Sequence, residues 1–513
     1  MMVDVHKPLS VRHAHVPSHA SVWFCTMEVA PFSKVGGLGD VAGSLPEALY
    51  RLLSPRGSDM AILTPLHGKM RGLQSRVVIK ELVVPHRDTC WRFNVHLASL
   101  PDGNVPVYLF ENHDGFTNFE QVYPTHLSIE DEVLRYEMFA KAVLSFACRQ
   151  SAKAHLFHLN DWHTTPVATL LHTDPSCWPA TPETRPKTLL TIHSLGYQGI
   201  LEEAGRTRNL MAEGIQYCDA LTTVSPTYAR EICTPEGGAG LHGLMSANQD
   251  KLHGILNGID RVAFNPATDT RLARTYRVAT VQAGKAANKK ALAERLGLGH
   301  DPDLMHRHWV GMVTRLVDQK GLDLVLAALD AGLVEQPVQL VILGTGQPDL
   351  EEALRQAAER HPQVTACIEF DPVLAQQIYA ACDSFLMPSK FEPCGLGQLI
   401  ALRYGAVPIV RKVGGLADTV LDVTESPEAG NGFVFDAYEA EGLVDAVRRA
   451  VDMKTDYPES WQALVERGMR QEWSWHQSAQ AYCELYHHLL CPQSSIASFF
   501  HTCKSIVTRC LKG

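Results

Sequence analysis

Apolar and polar positions fall into blocks along the first half of the chain. Continuous apolar runs at Ser21–Val29, Met60–Thr64, Leu156–Leu159, Thr188–Ile192 and Ala220–Val224 predict strands buried on both faces. Between several of them lie stretches with apolar residues at three- and four-residue spacing, such as Glu130–Arg149, which predict helices. Buried strands alternating with helices indicate a parallel sheet covered on both faces. The pattern breaks from about Asp269 to Pro302, where the chain is polar and rich in Lys, Ala and Arg. A second series follows at His308–Thr314, Val338–Leu343, Thr365–Ile368, Ser384–Met387 and Val407–Val410, with helical stretches such as Leu322–Leu329 and Ala375–Ala381 between. Two doubly wound α/β domains of similar size are the economical reading. An internal echo agrees with it: KVGGLGD at Lys34–Asp40 recurs as KVGGLAD at Lys412–Asp418, once in each half. Residues 1–20 lack periodicity and read as a disordered tail.

Composition narrows the class. The 513 residues are 45% hydrophobic and 20% charged, which excludes a disordered, collagen-like or coiled-coil protein. A formal net charge of -10 disfavours a duplex-binding face, so no nucleic-acid partner is expected. The 13 cysteines include no Cys-x-x-Cys pair, so neither a disulfide framework nor a zinc knuckle is indicated. No run approaches the ~18 apolar residues of a transmembrane helix, and a cytoplasmic enzyme is expected.

Candidate chemistry sits at predicted strand ends. Glycine-rich turns that open helices expose backbone N–H groups and attract phosphate. Three candidates are Gly36-Gly37-Leu38-Gly39, Gly344-Thr345-Gly346 and Gly414-Gly415, the first with Lys34 in its loop. The first also matches a dinucleotide fingerprint, but Ala30–Lys34 separates it from its strand and the acid expected after the next strand is absent. Arg315 closes the strand His308–Thr314 and Lys320 follows five residues on, a pair of cations suited to a diphosphate. Glu392 lies beyond the strand end at Met387, where it either flanks a helix cap or meets sugar hydroxyls. Cys394 reads as a small buried residue. Asp161-Trp162-His163 follows a strand and is poor core material, which favours a cleft; His193, also at a strand end, suits core and site equally. No Asp-x-Asp stands at a strand end, and no metal is expected.

Taken in order, EVAPFSKVGGLGDV (Glu28–Val41), TIHSLGYQG (Thr191–Gly199), VSPTYAREI (Val224–Ile232), LNGID (Leu256–Asp260), TRLVDQKGLDLV (Thr314–Val325) and SKFEPCGLGQL (Ser389–Leu399) resemble the bacterial glycogen synthase and plant starch synthase family. The likeness runs from about residue 21 to Tyr486. It implies a GT-B fold, two Rossmann-like domains facing across a deep cleft. Residues 21–256 would form the acceptor-side domain, 257–472 the nucleotide-sugar domain, and 473–490 a helix returning to the first. The implied reaction is retaining glucosyl transfer from ADP-glucose to the non-reducing end of an α-1,4-glucan, with no cofactor or metal. By the same resemblance, Lys34, Gly36 and Gly37 meet the donor's phosphate and glucose, while Asp40, Asp161 and His193 line the sugar or acceptor side. Arg315 and Lys320 hold the diphosphate and Glu392 contacts the glucose ring. Cys394, Gly395 and Leu396 approach through backbone amides, and Asn257 and Gly344 complete the binding set.

The chain departs from the family pattern at Ser194, Asn160 and Gly397, at Glu213 in place of a lysine, and in a shortened segment between Gly199 and Asp219. Those last two lie on the acceptor side. A related enzyme using UDP-glucose or a small-sugar acceptor, a non-catalytic glucan-binding relative, and an NAD oxidoreductase are the competing readings. Residues 491–513 fall outside the resemblance and read as a basic amphipathic helix, expected to pack on the protein or to dock on a membrane surface or partner.

Overall fold

A computed structural model describes residues 19–491, except 87–88, 102, 151–152, 179–183, 204 and 299–300. The expected disordered and amphipathic tails therefore lie outside the described residues, apart from His19, Ala20 and Cys491.

The strands in chain order are β1 (Ser21–Cys25), β2 (Asp59–Pro65), β3 (Arg76–His86), β4 (Thr89–Ser99), β5 (Pro106–Glu111), β6 (Leu156–Asn160), β7 (Lys187–Ile192), β8 (Ile200–Glu203), β9 (Arg206–Asn209), β10 (Ala220–Thr223), β11 (Leu252–Gly254), β12 (His308–Val313), β13 (Val338–Leu343), β14 (Val364–Cys367), β15 (Ser384–Met387), β16 (Val407–Arg411) and β17 (Phe433–Phe435). The described residues form a nine-stranded sheet in the order β11-β10-β7-β6-β1-β2-β5-β4-β3, a six-stranded sheet in the order β14-β13-β12-β15-β16-β17, and the hairpin β8-β9. By packing, the described residues divide into two compact units, one within 19–190, 198–220 and 479–491, the other within 191–197 and 221–478.

In the first unit the expected parallel sheet is present but incomplete as an account. β2-β1-β6 pair in parallel, whereas β5-β4-β3 continue as an antiparallel meander with a bulged β3. β3 and β4 alternate buried and exposed positions, the pattern of strands with one face in water. The helix Ile129–Arg149 forms where its spacing predicts. Ser128 Oγ accepts from the Asp131 amide at its N-terminus, three acids occupy the first turn, and Arg149 lies in the last, each favourable to the helix dipole. Tyr482 and Tyr486 of the helix Trp475–Leu490 are buried in this unit, Tyr486 Oη lying 2.7 Å from His158 Nδ1.

The six-stranded sheet of the second unit is parallel throughout. Numbered from its own first strand, its order is 3-2-1-4-5-6, the doubly wound Rossmann arrangement. The chain reverses direction across this sheet between β12 and β15, and ligands of such sheets bind at the carboxyl ends beside that switch point. β1 and β6 make the corresponding switch in the first unit. The polar stretch after Asp269 contains a helix, Val281–Arg295, whose buried face includes Gly284, Asn288 and Lys289.

Candidate functional site

At the carboxyl end of β1 the chain turns through the segment 26–36 before the helix Gly37–Leu53 begins. Buried Glu28 organises that turn: Oε2 accepts from the amides of Val35 (2.7 Å) and Gly36 (2.8 Å), and Oε1 accepts from Tyr123 Oη at 3.0 Å. Tyr123 is held far above its ordinary pKa by burial and by the Glu28 charge, so it remains a donor. A Cβ built on Gly36 or Gly37 meets no protein atom within 4 Å, and neither residue has positive φ. Neither backbone strain nor internal packing therefore requires glycine there; Glu28 takes the Gly36 amide, and the space beside Gly37 at this helix N-terminus is open to an anion. Lys34 Nζ pairs with Asp40 Oδ1 at 2.7 Å on the exposed side of the same turn.

Asp161 stands at the end of β6, across the same switch point. Its backbone is strained, with φ 56 and ψ 176, a region that non-glycine residues occupy at a cost of about 1–3 kcal/mol. Asn160 pins it in place, donating from its amide to Thr164 Oγ1 (2.7 Å) and from Nδ2 to the Cys25 carbonyl (2.9 Å). The Asp-Trp-His run does not all face a cleft as expected. Trp162 and His163 are buried and stacked at 4.3 Å, His163 packs edge-on to Tyr136, and only Asp161 is half-buried. Burial lowers His163 to about 3 and leaves it neutral.

The second unit gathers the other candidates at its switch point. Arg315 follows β12, is exposed, and makes no ion pair among the described residues. Lys320 ends the turn Asp318–Lys320, and the segment after β15 carries Glu392 to it: Lys320 Nζ and Glu392 Oε2 are 2.6 Å apart, their side chains 18% and 7% exposed. Ser389 Oγ donates to the same carboxylate oxygen at 2.9 Å. The two cations expected to act together thus differ. One is paired and largely buried, the other exposed.

Asn257 and Cys394 are brought together by the Asn257 backbone amide, both are buried, and Asn257 Oδ1 has no hydrogen-bond partner among the described residues. Burial pushes the Cys394 thiol up to about 12, which makes it a packing residue rather than a thiolate. Gly395 and Leu396 lead into the helix Gly397–Arg403, braced by Gln398 Nε2 donating to the Cys394 and Gly395 carbonyls at 3.0 Å each. His193 follows β7 and is lowered by burial to about 4, so it is neutral at pH 7. A Cβ on Gly344 would lie 1.8 Å from the Thr314 carbonyl, so close strand approach explains that glycine without a ligand. The two echoed loops have diverged: Gly36 and Gly37 are open, whereas Cβ atoms on Gly414 and Gly415 would lie 2.0 Å from the Glu392 carbonyl and 2.1 Å from that of Cys394.

Sequence reasoning passed over Glu28 and Tyr123, although Glu28 opens the first quoted motif. It also missed Phe370, 87% exposed on the loop after β14. Phe370 lies between Glu369 and Asp371 on a connection outside any strand or helix, and only its exposure marks it.

Comparison with known proteins shows the family and the fold. The starch synthase catalytic domain family matches residues 21–247, and the glycosyl transferases group 1 family matches 307–453. The glycogen synthase of Anaeromyxobacter sp. (strain Fw109-5) is 42% identical over 491 residues, 92% of this chain and 100% of that protein. That of Gloeobacter violaceus is 40% identical, over 91% and 99% of the two chains. The catalytic domain of starch synthase IV from Arabidopsis thaliana, solved bound to ADP and acarbose, superposes with a TM-score of 0.81 and 32% identity, covering 92% of this chain and 99% of that one. Fold and site together define a glycosyltransferase of the GT-B class, built from two Rossmann-like domains. Within that class, the chain belongs to the glycogen and starch synthase family.

Proposed function

We propose that this protein transfers glucose from ADP-glucose to the non-reducing end of an α-1,4-glucan, with retention at the anomeric carbon. The observation that carries the reading is the Lys320–Glu392 pair beside exposed Arg315 at the switch point of the second sheet. Arg315 and Lys320 stabilise negative charge as the bond between the anomeric carbon and the diphosphate oxygen breaks. The electron pair stays on the departing diphosphate. The acceptor hydroxyl forms the new C–O bond on the same face of the sugar. Its proton goes to the leaving phosphate, because His193, held near 4, is too weak a base to keep one. His193 acts instead as a neutral hydrogen-bonding group toward a sugar hydroxyl. Lys34, Gly36 and Gly37 receive the donor's phosphate and glucose, Asp40 and Asp161 take the sugar or acceptor side, and the amides of Cys394, Gly395 and Leu396 take the hydroxyls.

An adenine nucleotide is favoured by the Arabidopsis relative, which was solved with ADP; the exposed ring of Phe370 offers a flat face on which a base of either kind would stack. The reading carries a cytoplasmic location with it; no described helix is long and apolar enough to cross a membrane. The experiment offers radiolabelled ADP-glucose and UDP-glucose separately, each with glycogen, with maltotriose and with no acceptor. Incorporation from ADP-glucose into glycogen is the expected result. Transfer from UDP-glucose alone, transfer to maltotriose alone, or no transfer would overturn the proposal.

A further inference from the structure

The second echoed loop is filled by the protein itself, and the way it is filled singles out a residue with no assigned role. The helix Pro226–Glu231 starts at Ser225, whose Oγ accepts from the Tyr228 amide at 3.0 Å, and ends in Glu231. Glu231 Oε1 accepts from the Gly414 amide at 2.9 Å. The next amide, Gly415 N–H, donates to the Glu392 carbonyl at 3.0 Å. Gly414 has φ 43, a left-handed conformation that strains other residues, and its position and that of Gly415 lie directly on the backbone of Glu392–Cys394. One turn therefore holds the Glu392 backbone on one side and is itself held by a carboxylate on the other. Asp418, on the helix Gly414–Thr419, strengthens the clamp by accepting from the Thr227 amide (2.8 Å) and Thr227 Oγ1 (2.7 Å).

We propose that Glu231 is a positioning residue for Glu392, acting through the Gly414–Gly415 turn; the kinetic part of this rests on the proposed function, with Glu392 contacting the donor's glucose ring as the family resemblance implies. Lys320 and Ser389 fix the Glu392 carboxylate, but they act on its side chain alone. The turn sets where its backbone stands, and a shift of about 1 Å in a catalytic group can cost 10²-fold in rate. The charged groups facing Glu231 are Asp418, Arg411 and Arg230, and burial is the main cause of its raised pKa. What the Gly414 amide needs from Glu231 is an oxygen at the right reach, not a charge.

Two variants separate reach from charge. Glu231→Gln keeps the length and an acceptor oxygen; Glu231→Asp keeps the charge and is one methylene short. Two quantities are measured on the full chain: amide hydrogen exchange of the peptide spanning 389–396, and steady-state transfer from ADP-glucose. Exchange at 389–396 is expected to quicken at least tenfold in Glu231→Asp and stay within threefold of the parent in Glu231→Gln. Turnover should follow the same order, kcat falling about tenfold in Glu231→Asp with KM for the donor changed less than twofold. Equal behaviour of Glu231→Asp and the parent, or equal loss in both variants, would overturn the proposal. The exchange readout needs no activity, so absence of transfer by the parent protein would defeat the functional reading while leaving Glu231 still under test.

Discussion

At the scale of single residues, Arg315 and Lys320 carry charge of the same sign but stand in different surroundings. Arg315→Ala removes an exposed group, so the melting temperature should hold while kcat falls about 10²–10³-fold, the usual loss for one preorganised electrostatic donor. Lys320→Ala should lower kcat comparably and also destabilise the protein, because it leaves the buried Glu392 carboxylate without its cation; breaking such a pair costs about 3–5 kcal/mol. The double variant should fall short of additivity in kcat, since both groups act on one leaving charge. Near-normal kcat with an altered KM in either single variant would remove the leaving-group role. The histidines give a second prediction at this scale. Burial lowers His67, His163 and His308 to about 3 and His193 to about 4, from an ordinary value of 6.5. The unfolded chain binds protons at these sites first as pH falls below 6.5, so the stability they contribute is complete above that pH and is lost below it. Each site contributes a slope of up to about 1.4 kcal/mol per pH unit. Calorimetry should show a steep fall in melting temperature between pH 6.5 and 5; a flat profile there would contradict the buried, neutral assignment.

At the scale of elements, the two glycine loops show one sequence doing two jobs. Gly37 begins a helix of 17 residues, has no neighbour for a Cβ, and needs no unusual φ. Gly37→Ala should therefore leave stability unchanged or raise it by up to about 1 kcal/mol, while a methyl group in the open space at this helix N-terminus lowers kcat/KM for the donor at least tenfold. Loss of stability with unchanged kinetics would show that this glycine serves the fold alone. Legibility of the elements follows the same physics. Strands buried on both faces, such as β1, β6, β12 and β13, announce themselves as apolar runs. β3 and β4 do not, because one face is wet and their alternation is broken by a bulge and an irregular β3. The helix Val281–Arg295 was illegible for another reason: Lys289 reaches Asp383 at 3.0 Å and Lys285 Nζ caps the carbonyls of Tyr379, Ala380 and Tyr404, so polar residues share its inward face with Val281, Leu292 and Ala293 and dilute the apolar period. The site was partly readable, since Arg315 and Lys320 follow a strand. The Lys320–Glu392 pair, the Asn257–Cys394 contact and the Glu28 turn depend on residues far apart in the chain, and only the folded topology joins them.

At the scale of the whole molecule, the proposed transfer has its charge stabilisation supplied by the protein's own side chains. Activity in excess EDTA should stay within about twofold of the control, a change below ~0.5 kcal/mol in the barrier; full loss restored by Mg²⁺ or Mn²⁺ would refute this. The segment after Gly199 forms the hairpin β8-β9, where Arg208 bridges Glu137, Glu203 and Glu213. The linkage made in the proposed transfer is read on its product. Glycogen labelled by this protein from ADP-[¹⁴C]glucose is digested with β-amylase, which removes maltose only from α-1,4-linked non-reducing ends. The incorporated label should be released as maltose; label that resists the digestion, or is released in another form, would refute α-1,4 transfer.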